Sequence, residues 1–484
     1  MTIKKIMFIK PGEGIVSPNH GIPSRYEPPL GLLYLISALR RNFPDKFETD
    51  LFENNISGCD AAQVRARIAG FGPDIVCLAC MSVERKEAAA IAKIVKELNP
   101  RCLVILGGPH PSMFYARVLE DANIDIAVIG EGEATFVELT EKLLAGEPLW
   151  QVNGLALRKD GRAILTPPRE PVENLDKLPF PAWDLVDFKK YSNVKMSMNI
   201  ITHSVPWAAI FTSRGCPFHC AYCHNIFGKM TRFRSPENVV EEIELLAGKY
   251  GVKEIHIIDD IFNFDLVRAK KICDLIIARG LRIKIAFPNG IRGDMMDREL
   301  IRKLKRAGCY SIYYAIETAS PRLQKVIHKN LDLEKVRQAI AWTRAENILP
   351  RGYFMMGFPG ETPEEIETTV RWALDSELLM SLFLTVVIYP GIELERLARE
   401  AYPGFDFSDW DKFEFHYYAD SPVWTQATGI DLSRIRALAY RRFYYRAKII
   451  FPLLYWLPMN HSSLRIVRGF FYGLFAAVTR KLAA

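Results

Sequence analysis

Apolar positions recur along the chain with two different periods, and the chain alternates between them. Lys5–Lys10, Thr49–Glu53, Ile75–Ala79, Leu103–Leu106 and Ile126–Ile129 are short aliphatic runs that read as strands buried on both faces. Between them, Pro29–Arg41, Ala61–Ala69, Glu84–Asn99, Ser112–Asp121 and Ala134–Leu144 carry the spacing of amphipathic helices. Alternation of this kind predicts an α/β fold, a Rossmann-like doubly wound parallel sheet over residues 1–148.

Prolines 167, 168, 171, 179 and 181 interrupt the pattern, and residues 153–166 read as a hairpin turning at Asp160-Gly161. Residues 149–205 are therefore expected to form an ordered linker. Alternation resumes over 206–395, with strands at Ala208–Thr212, Glu254–Asp259, Arg282–Phe287, Tyr310–Ile316, Gly352–Met356 and Phe383–Tyr389. Six β/α units predict a partial (β/α)6 TIM-like barrel with its site at the strand C-termini. Residues 396–484 read as a basic, aromatic, helical region.

Composition narrows the class of partner. The 484 residues are 49% hydrophobic and 25% charged, as expected for several globular domains. Net charge is +7, yet residues 431–484 alone carry ten Lys/Arg against one acid, leaving −2 for the rest. An anionic partner or membrane surface would therefore belong to the tail. Nine cysteines, odd in number and mostly single in apolar runs, do not suggest a disulfide framework and point to a reducing cytoplasm. The chain opens on a strand pattern rather than a signal peptide. No apolar run reaches the ~18–20 residues that span a bilayer.

The segment Ser213-Arg-Gly-Cys216-Pro-Phe-His-Cys220-Ala-Tyr-Cys223 contains C-x3-C-x2-C directly after the first barrel strand. Three thiolates on one loop can ligate three irons of a cubane and leave the fourth open to a substrate. The alternative is a zinc site completed by His219 or His224, and with it a non-enzymatic metal-binding regulatory protein. Cys59, Cys77, Cys80, Cys102 and Cys273 read as structural.

C-x3-C-x-aromatic-C in this position resembles the radical S-adenosylmethionine (SAM) superfamily. The resemblance implies a [4Fe-4S] cluster on Cys216, Cys220 and Cys223, whose open iron chelates SAM. It also implies reductive cleavage to a 5′-deoxyadenosyl radical, driven by an external flavodoxin- or ferredoxin-like donor. Tyr222 would pack near the adenine. Asp259 and Asp260, ending the second strand, would meet the SAM amino group. Asn289 and Arg292 would contact its carboxylate. Glu317 would accept from the ribose hydroxyls, and Gly357 and Gly360 would let backbone approach the adenine.

In the N-terminal domain, Gly107-Gly108-Pro109-His110 and Gly130-Glu131-Gly132-Glu133 lie at strand ends before helices, where bare N–H groups face a ligand. A nicotinamide site fits poorly, because Ser17 stands at the third glycine position of G-x-G-x-x-G. The glycine clusters resemble those of cobalamin-binding domains fused to radical SAM barrels, a class that includes the anaerobic Mg-protoporphyrin monomethyl ester cyclase. Pro28-Pro29-Leu30-Gly31-Leu32 and Leu178-Pro-Phe-Pro-Ala-Trp183 resemble that class too. The resemblance implies cobalamin as a further cofactor. The D-x-H-x-x-G motif that supplies a histidine ligand is absent, and the chain reads Phe52-Glu-Asn-Asn-Ile-Ser-Gly58 instead. That leaves three alternatives: cobalamin bound without a protein histidine, a domain that has lost the cofactor, or His110 as a ligand, although a histidine in a Gly-Pro turn more commonly serves as a hydrogen-bonding residue.

These features point to a radical SAM enzyme acting on an unactivated carbon of a small molecule. Cobalamin-dependent methylation is the first reading and oxidative cyclisation the second. Arginines and aromatics in 431–484 suit a membrane surface or a lipophilic substrate, or a helical layer over the open barrel edge; nucleic acid is not expected.

Overall fold

The computed structural model describes residues 3–12, 14–16, 27–192, 202–223, 226–406 and 427–456. The first sheet contains β1 (Lys5–Lys10), β2 (Glu48–Glu53), β3 (Ile75–Ala79), β4 (Leu103–Gly107), β5 (Ile126–Val128), β6 (Leu155–Lys159) and β7 (Arg162–Leu165), in the order β2-β1-β3-β4-β5-β6-β7. Strands β1 to β5 are parallel, and helices cover both faces of their apolar runs. β6 pairs antiparallel with β5, and β7 with β6. The sheet is therefore mixed rather than purely parallel, and it extends to Leu165, past the boundary expected at residue 148. The physical reason is that the Asp160-Gly161 hairpin supplies backbone groups that the otherwise open edge of β5 can pair.

The linker is wedged between the halves. The Ala182 N–H donates to the Leu33 carbonyl (3.2 Å) on the first side. Next to it, Trp183, almost fully buried, donates its indole N–H to Glu242 Oε1 (2.9 Å) on the second. A continuous apolar core runs from Ile3 and Phe8 through Trp183 to the second sheet.

That second sheet starts at β8 (Trp207–Ile210). A two-residue antiparallel pair follows, β9 (Ser213–Arg214) with β10 (Arg232–Phe233), and it closes the base of the cysteine loop. Then come β11 (Glu254–Ile257), β12 (Lys284–Ile291), β13 (Cys309–Glu317), β14 (Leu349–Met356) and β15 (Met380–Thr385). The six long strands run β15-β14-β13-β12-β11-β8, all parallel, as the six β/α units predict.

The helix Leu432–Tyr444 covers the β15 edge. Tyr440 and Tyr444, one helical turn apart, present stacked rings to it. The Tyr440 hydroxyl accepts from Phe383 N–H (3.1 Å) and donates to its carbonyl (3.2 Å). Tyr444 does the same with Ser381, at 3.1 and 2.9 Å. Residues two apart on an edge strand direct their free groups outward, and here two phenols satisfy four of them. This part of the C-terminal region is the helical layer expected over the open edge. No helix among the described residues is long and apolar enough to cross a membrane.

Candidate active site

The cysteine loop leaves β9 and is held at several points. The Cys216 N–H donates to the Gly228 carbonyl (3.2 Å), Cys223 N–H to Cys220 O (3.0 Å) and Ala221 N–H to Ile327 O (2.9 Å). Gly215 has φ 87°, and a Cβ there would lie 2.3 Å from the Met230 carbonyl oxygen, so only glycine fits. Cys216 and Cys220 are half-buried and Cys223 is exposed, and none of the three is in a disulfide. Among the described residues no three His, Cys, Asp or Glu side chains are gathered as a metal site; three thiols on one loop are nonetheless the donor type of an iron–sulfur cluster, and in kind and spacing the residues fit that group. His224 lies outside the described residues.

Around the loop, the structure brings several of the expected residues together. Tyr222 donates its hydroxyl to Glu317 Oε1 (3.3 Å), and Lys329 Nζ lies 3.6 Å from the same oxygen. Glu317 is buried at the end of β13 with φ 67°, a strained backbone for a side chain of this size. Burial pushes its carboxyl up, and the Lys329 charge opposes that shift. Lys329 is itself buried, between His328 (φ 54°) and Asn330 (φ 48°). Gln324 pins this segment, since its carbonyl accepts from the N–H groups of Lys329 and Asn330, both at 3.0 Å.

Other expected residues are engaged with protein. Asp259 is buried and accepts from the Thr212 N–H (2.6 Å) and the Ser213 hydroxyl (2.7 Å), tying β11 to the strand before the cysteines. Asp260 accepts from Gly215 N–H (3.2 Å). Arg292 lies over the Phe218 ring at 3.8 Å and pairs with Asp294 (3.0 Å), bracing the loop between Cys216 and Cys220. Asn289 donates to the Asp259 carbonyl (2.9 Å). Gly357 (φ 92°) and Gly360 (φ 68°) flank the turn after β14. Glu361 Oε2 accepts from Gly357 N–H (2.6 Å) and Phe358 N–H (3.1 Å), while its other oxygen is buried without a partner. Burial pushes this carboxyl up to about 8, against the pull of those two N–H groups.

At the edge of the first sheet, Gly107 ends β4 and Gly108 follows it, and a Cβ at Gly108 (φ 105°) would press the Cys80 backbone at 3.0 Å. Gly130 (φ 73°) has open space where a Cβ would stand. Asn55, after β2, is buried with neither side-chain atom partnered, and Gly12 packs on its backbone so closely that a Cβ would lie 2.3 Å away. A glycine-lined strand edge with an orphaned buried amide fits a large polar cofactor such as cobalamin. His110 is buried against Phe114, its Nδ1 lies 3.2 Å from the Ser82 hydroxyl, and burial lowers its pKa to about 4.

Glu131 and Glu133 do not face open space. Arg214 Nη1 donates to Glu131 Oε2 (2.9 Å) and Nη2 to Glu133 Oε1 (2.6 Å), and Arg232 also pairs with Glu131. Arg214, Arg232, Lys329 and Glu361 escaped the sequence reading. The phrase Arg214-Gly-Cys216 placed the first of them beside the cluster, but the sequence carries no mark of its partners.

Known proteins agree with this assembly. A Radical SAM superfamily model matches residues 210–373, and a B12 binding domain model matches 24–140. A protein of Pyrococcus horikoshii, described as an uncharacterized methyltransferase, is 32% identical over 93% of this chain and 94% of its own length. The anaerobic magnesium-protoporphyrin IX monomethyl ester cyclase of Rubrivivax gelatinosus is 28% identical, covering 79% of this chain and 68% of the relative. Among solved structures, the radical SAM methyltransferase TsrM of Kitasatospora setae shares the fold, with a TM-score of 0.68 and 20% identity over 83% of this chain and 77% of that one. The chain belongs to the B12-binding radical SAM enzymes, the class that works with a [4Fe-4S] cluster, S-adenosylmethionine and cobalamin.

Proposed function

We propose that this cobalamin-dependent radical SAM enzyme is a C-methyltransferase acting on an unactivated carbon of a small organic molecule. Cys216, Cys220 and Cys223 hold the cluster; Tyr222, Glu317 and the Gly357–Gly360 turn form the nucleoside side of the SAM site. Gly107, Gly108 and Gly130 line the cobalamin edge. When bound, the cluster and SAM supply a carbon-centred oxidant and cobalamin supplies a transferable methyl group. A flavodoxin- or ferredoxin-like protein delivers the electron.

One observation carries the reading. The cysteine loop after β9 lies against the loop after β5, with Arg214 2.9 Å from Glu131, so the strand-end sites of the two sheets are neighbours. Ligands of both folds sit at such ends, and adjacency suits a reaction that needs both cofactors on one substrate. Methylation is preferred to cyclisation because the methyltransferase relative aligns along nearly all of both chains, and the cyclase along 68% of its own.

The test is anaerobic turnover of reconstituted, cobalamin-loaded protein with methyl-labelled SAM and a low-potential reductant. Methyl transfer yields S-adenosylhomocysteine together with 5′-deoxyadenosine. Deoxyadenosine alone, with cobalamin bound, would replace methylation with a cyclase-like reaction. Neither product from protein with a full cluster would end the proposal.

A further inference from the structure

Arg214 sits on the seam with four groups around its guanidinium. Glu131 and Glu133 accept its hydrogen bonds at 2.9 and 2.6 Å. The rings of Tyr34, from the first domain, and Phe227, from the cysteine-loop side, lie 5.1 and 5.2 Å from its centre. All three charged side chains are buried, at 4%, 9% and 7% exposure. Burial alone would push the Glu133 carboxyl up, but the charge and hydrogen bond of Arg214 outweigh it and hold the group below its ordinary value. The Arg214–Glu133 bond is thus charge-assisted and fixed in direction.

Apolar contact could have joined the two domains without the desolvation cost of buried charge. What directional, charge-assisted bonds add is a defined geometry. The positions of the partners show what that geometry governs. On one side, Gly215 alone separates Arg214 from Cys216, and it packs so closely on the Met230 carbonyl that a Cβ would not fit. A shift of Arg214 therefore passes to the first cluster ligand. On the other side, Glu131 and Glu133 belong to the loop whose Gly130 N–H donates to Ser112 Oγ (2.9 Å), and Ser112 Oγ in turn donates to the Gly108 carbonyl (2.8 Å). The same loop is thus bonded to the other glycine cluster at the cofactor edge, Gly107-Gly108. Arg232 ties the set to the linker through the Val172 carbonyl (2.8 Å).

We propose that Arg214, clamped by Glu131 and Glu133, is a positioning residue that registers the cluster loop against the glycine-lined edge of the first sheet and so fixes the distance between the two cofactors. The acids that the sequence assigned to cobalamin act on it indirectly, by holding the arginine of the cysteine loop. This rests on the reading that the protein carries both cofactors.

The test uses the full-length protein reconstituted with iron, sulfide and cobalamin, and reduced so that the cluster and the cobalt are both paramagnetic. Pulsed dipolar EPR then reads the distance between them. The variant is the double substitution Arg214→Gln with Glu133→Gln, which removes one positive and one negative charge and leaves the Arg232–Glu131 pair intact. The wild type is expected to give one narrow distance. The double variant, with unchanged iron and cobalamin content, is expected to give a distribution at least about twice as wide. A variant distribution as narrow as wild type overturns the positioning role, because a merely adhesive contact would alter the melting temperature and not the distance. If the double variant does not fold, Arg214→Lys, which keeps the charge and loses the fork, reads the same distance with the same two outcomes. If wild-type protein takes up a cluster and no cobalamin, the cofactor reading fails by itself. The width is then read from the cluster to a nitroxide at Lys93→Cys, an exposed site on the first domain, and the same comparison decides.

Discussion

The Tyr222 hydroxyl and the Glu317 carboxylate, 95 residues apart, meet at 3.3 Å where the cysteine loop crosses the end of β13. The pair joins the element that carries the cluster to the acid expected to hold the SAM ribose. Glu317 keeps a left-handed backbone (φ 67°) and a buried charge balanced by Lys329, and such strain persists where surrounding structure over-determines it. Glu317→Gln keeps the shape and halves the acceptor strength. A hydrogen bond to a charged group contributes about 1.5–3 kcal/mol, and losing half of it should lower SAM affinity roughly three- to tenfold. Equilibrium binding of SAM to reconstituted protein measures this, and the visible absorption of the cluster should not change.

Removal of the metal separates the cluster from the fold. Cys216 and Cys220, half-buried, and Cys223, exposed, lie on a loop outside the apolar core. Each Cys→Ala variant should therefore fold, and each should lose the iron–sulfur absorption and all SAM cleavage. Chelation of iron from the wild type should give the same loss, reversed by reconstitution without oxygen. A variant that binds zinc stoichiometrically and still cleaves SAM would contradict the assignment.

How much of this was legible depended on whether the signal was local. The strands Lys5–Lys10 and Ile75–Ala79 and the cysteine motif lie in contiguous residues whose period or spacing states what they do. The hairpin Leu155–Leu165 was visible as a hairpin, but its membership of the first sheet was not. Pairing with β5 is a contact between segments, and a turn signal specifies only its own two strands. The sites divide the same way. Glu317 was found because it ends a strand, as was Gly357. Glu131 and Glu133 also follow a strand, and the same rule drew them toward a cofactor. Their partner Arg214 is 81 residues away from Glu133, and nothing in one sequence links the two. Lys329 sits in a loop that reads as solvated polar residues, and only the Gln324 contacts turn it inward.

Glu361 makes a pH dependence testable. Burial raises its carboxyl from 4.5 to about 8 in the folded chain. The folded state therefore binds more protons than the unfolded state between those values. The stabilisation is fully present below about pH 4.5, and it is lost as pH rises through about 8. Glu361→Gln keeps an acceptor for the Gly357 and Phe358 N–H groups and cannot ionise. Any fixed cost of the new amide is the same at every pH, so the slope carries the test. Relative to this variant, the wild type should lose on the order of a few kcal/mol across the window. Parallel denaturation curves at pH 5, 7 and 9 measure it, and a constant difference would refute it.

The last prediction concerns the edge strand that Tyr440 and Tyr444 cover. Their hydroxyls bond both free backbone groups of Phe383 and Ser381, at 2.9–3.2 Å. Phe383 also packs edge-on against Tyr440, so the rings and the hydroxyls act separately. Substituting both tyrosines by phenylalanine keeps the packing and removes only the hydroxyls. Four backbone groups then lose their partners under a covering helix, which excludes much of the water that could replace them. Each lost hydrogen bond should cost about 0.5–1.5 kcal/mol, so the four together should lower stability by roughly 2–6 kcal/mol. Removing the whole helix has a different consequence, because an uncovered parallel edge can template pairing with another chain. The double Tyr→Phe variant should therefore melt lower and stay monodisperse, while a chain truncated before Asp431 should associate through β15. Calorimetry of the first and light scattering of the second distinguish hydrogen bonding from simple coverage. If the phenylalanine pair melts with the wild type, the rings alone protect the edge.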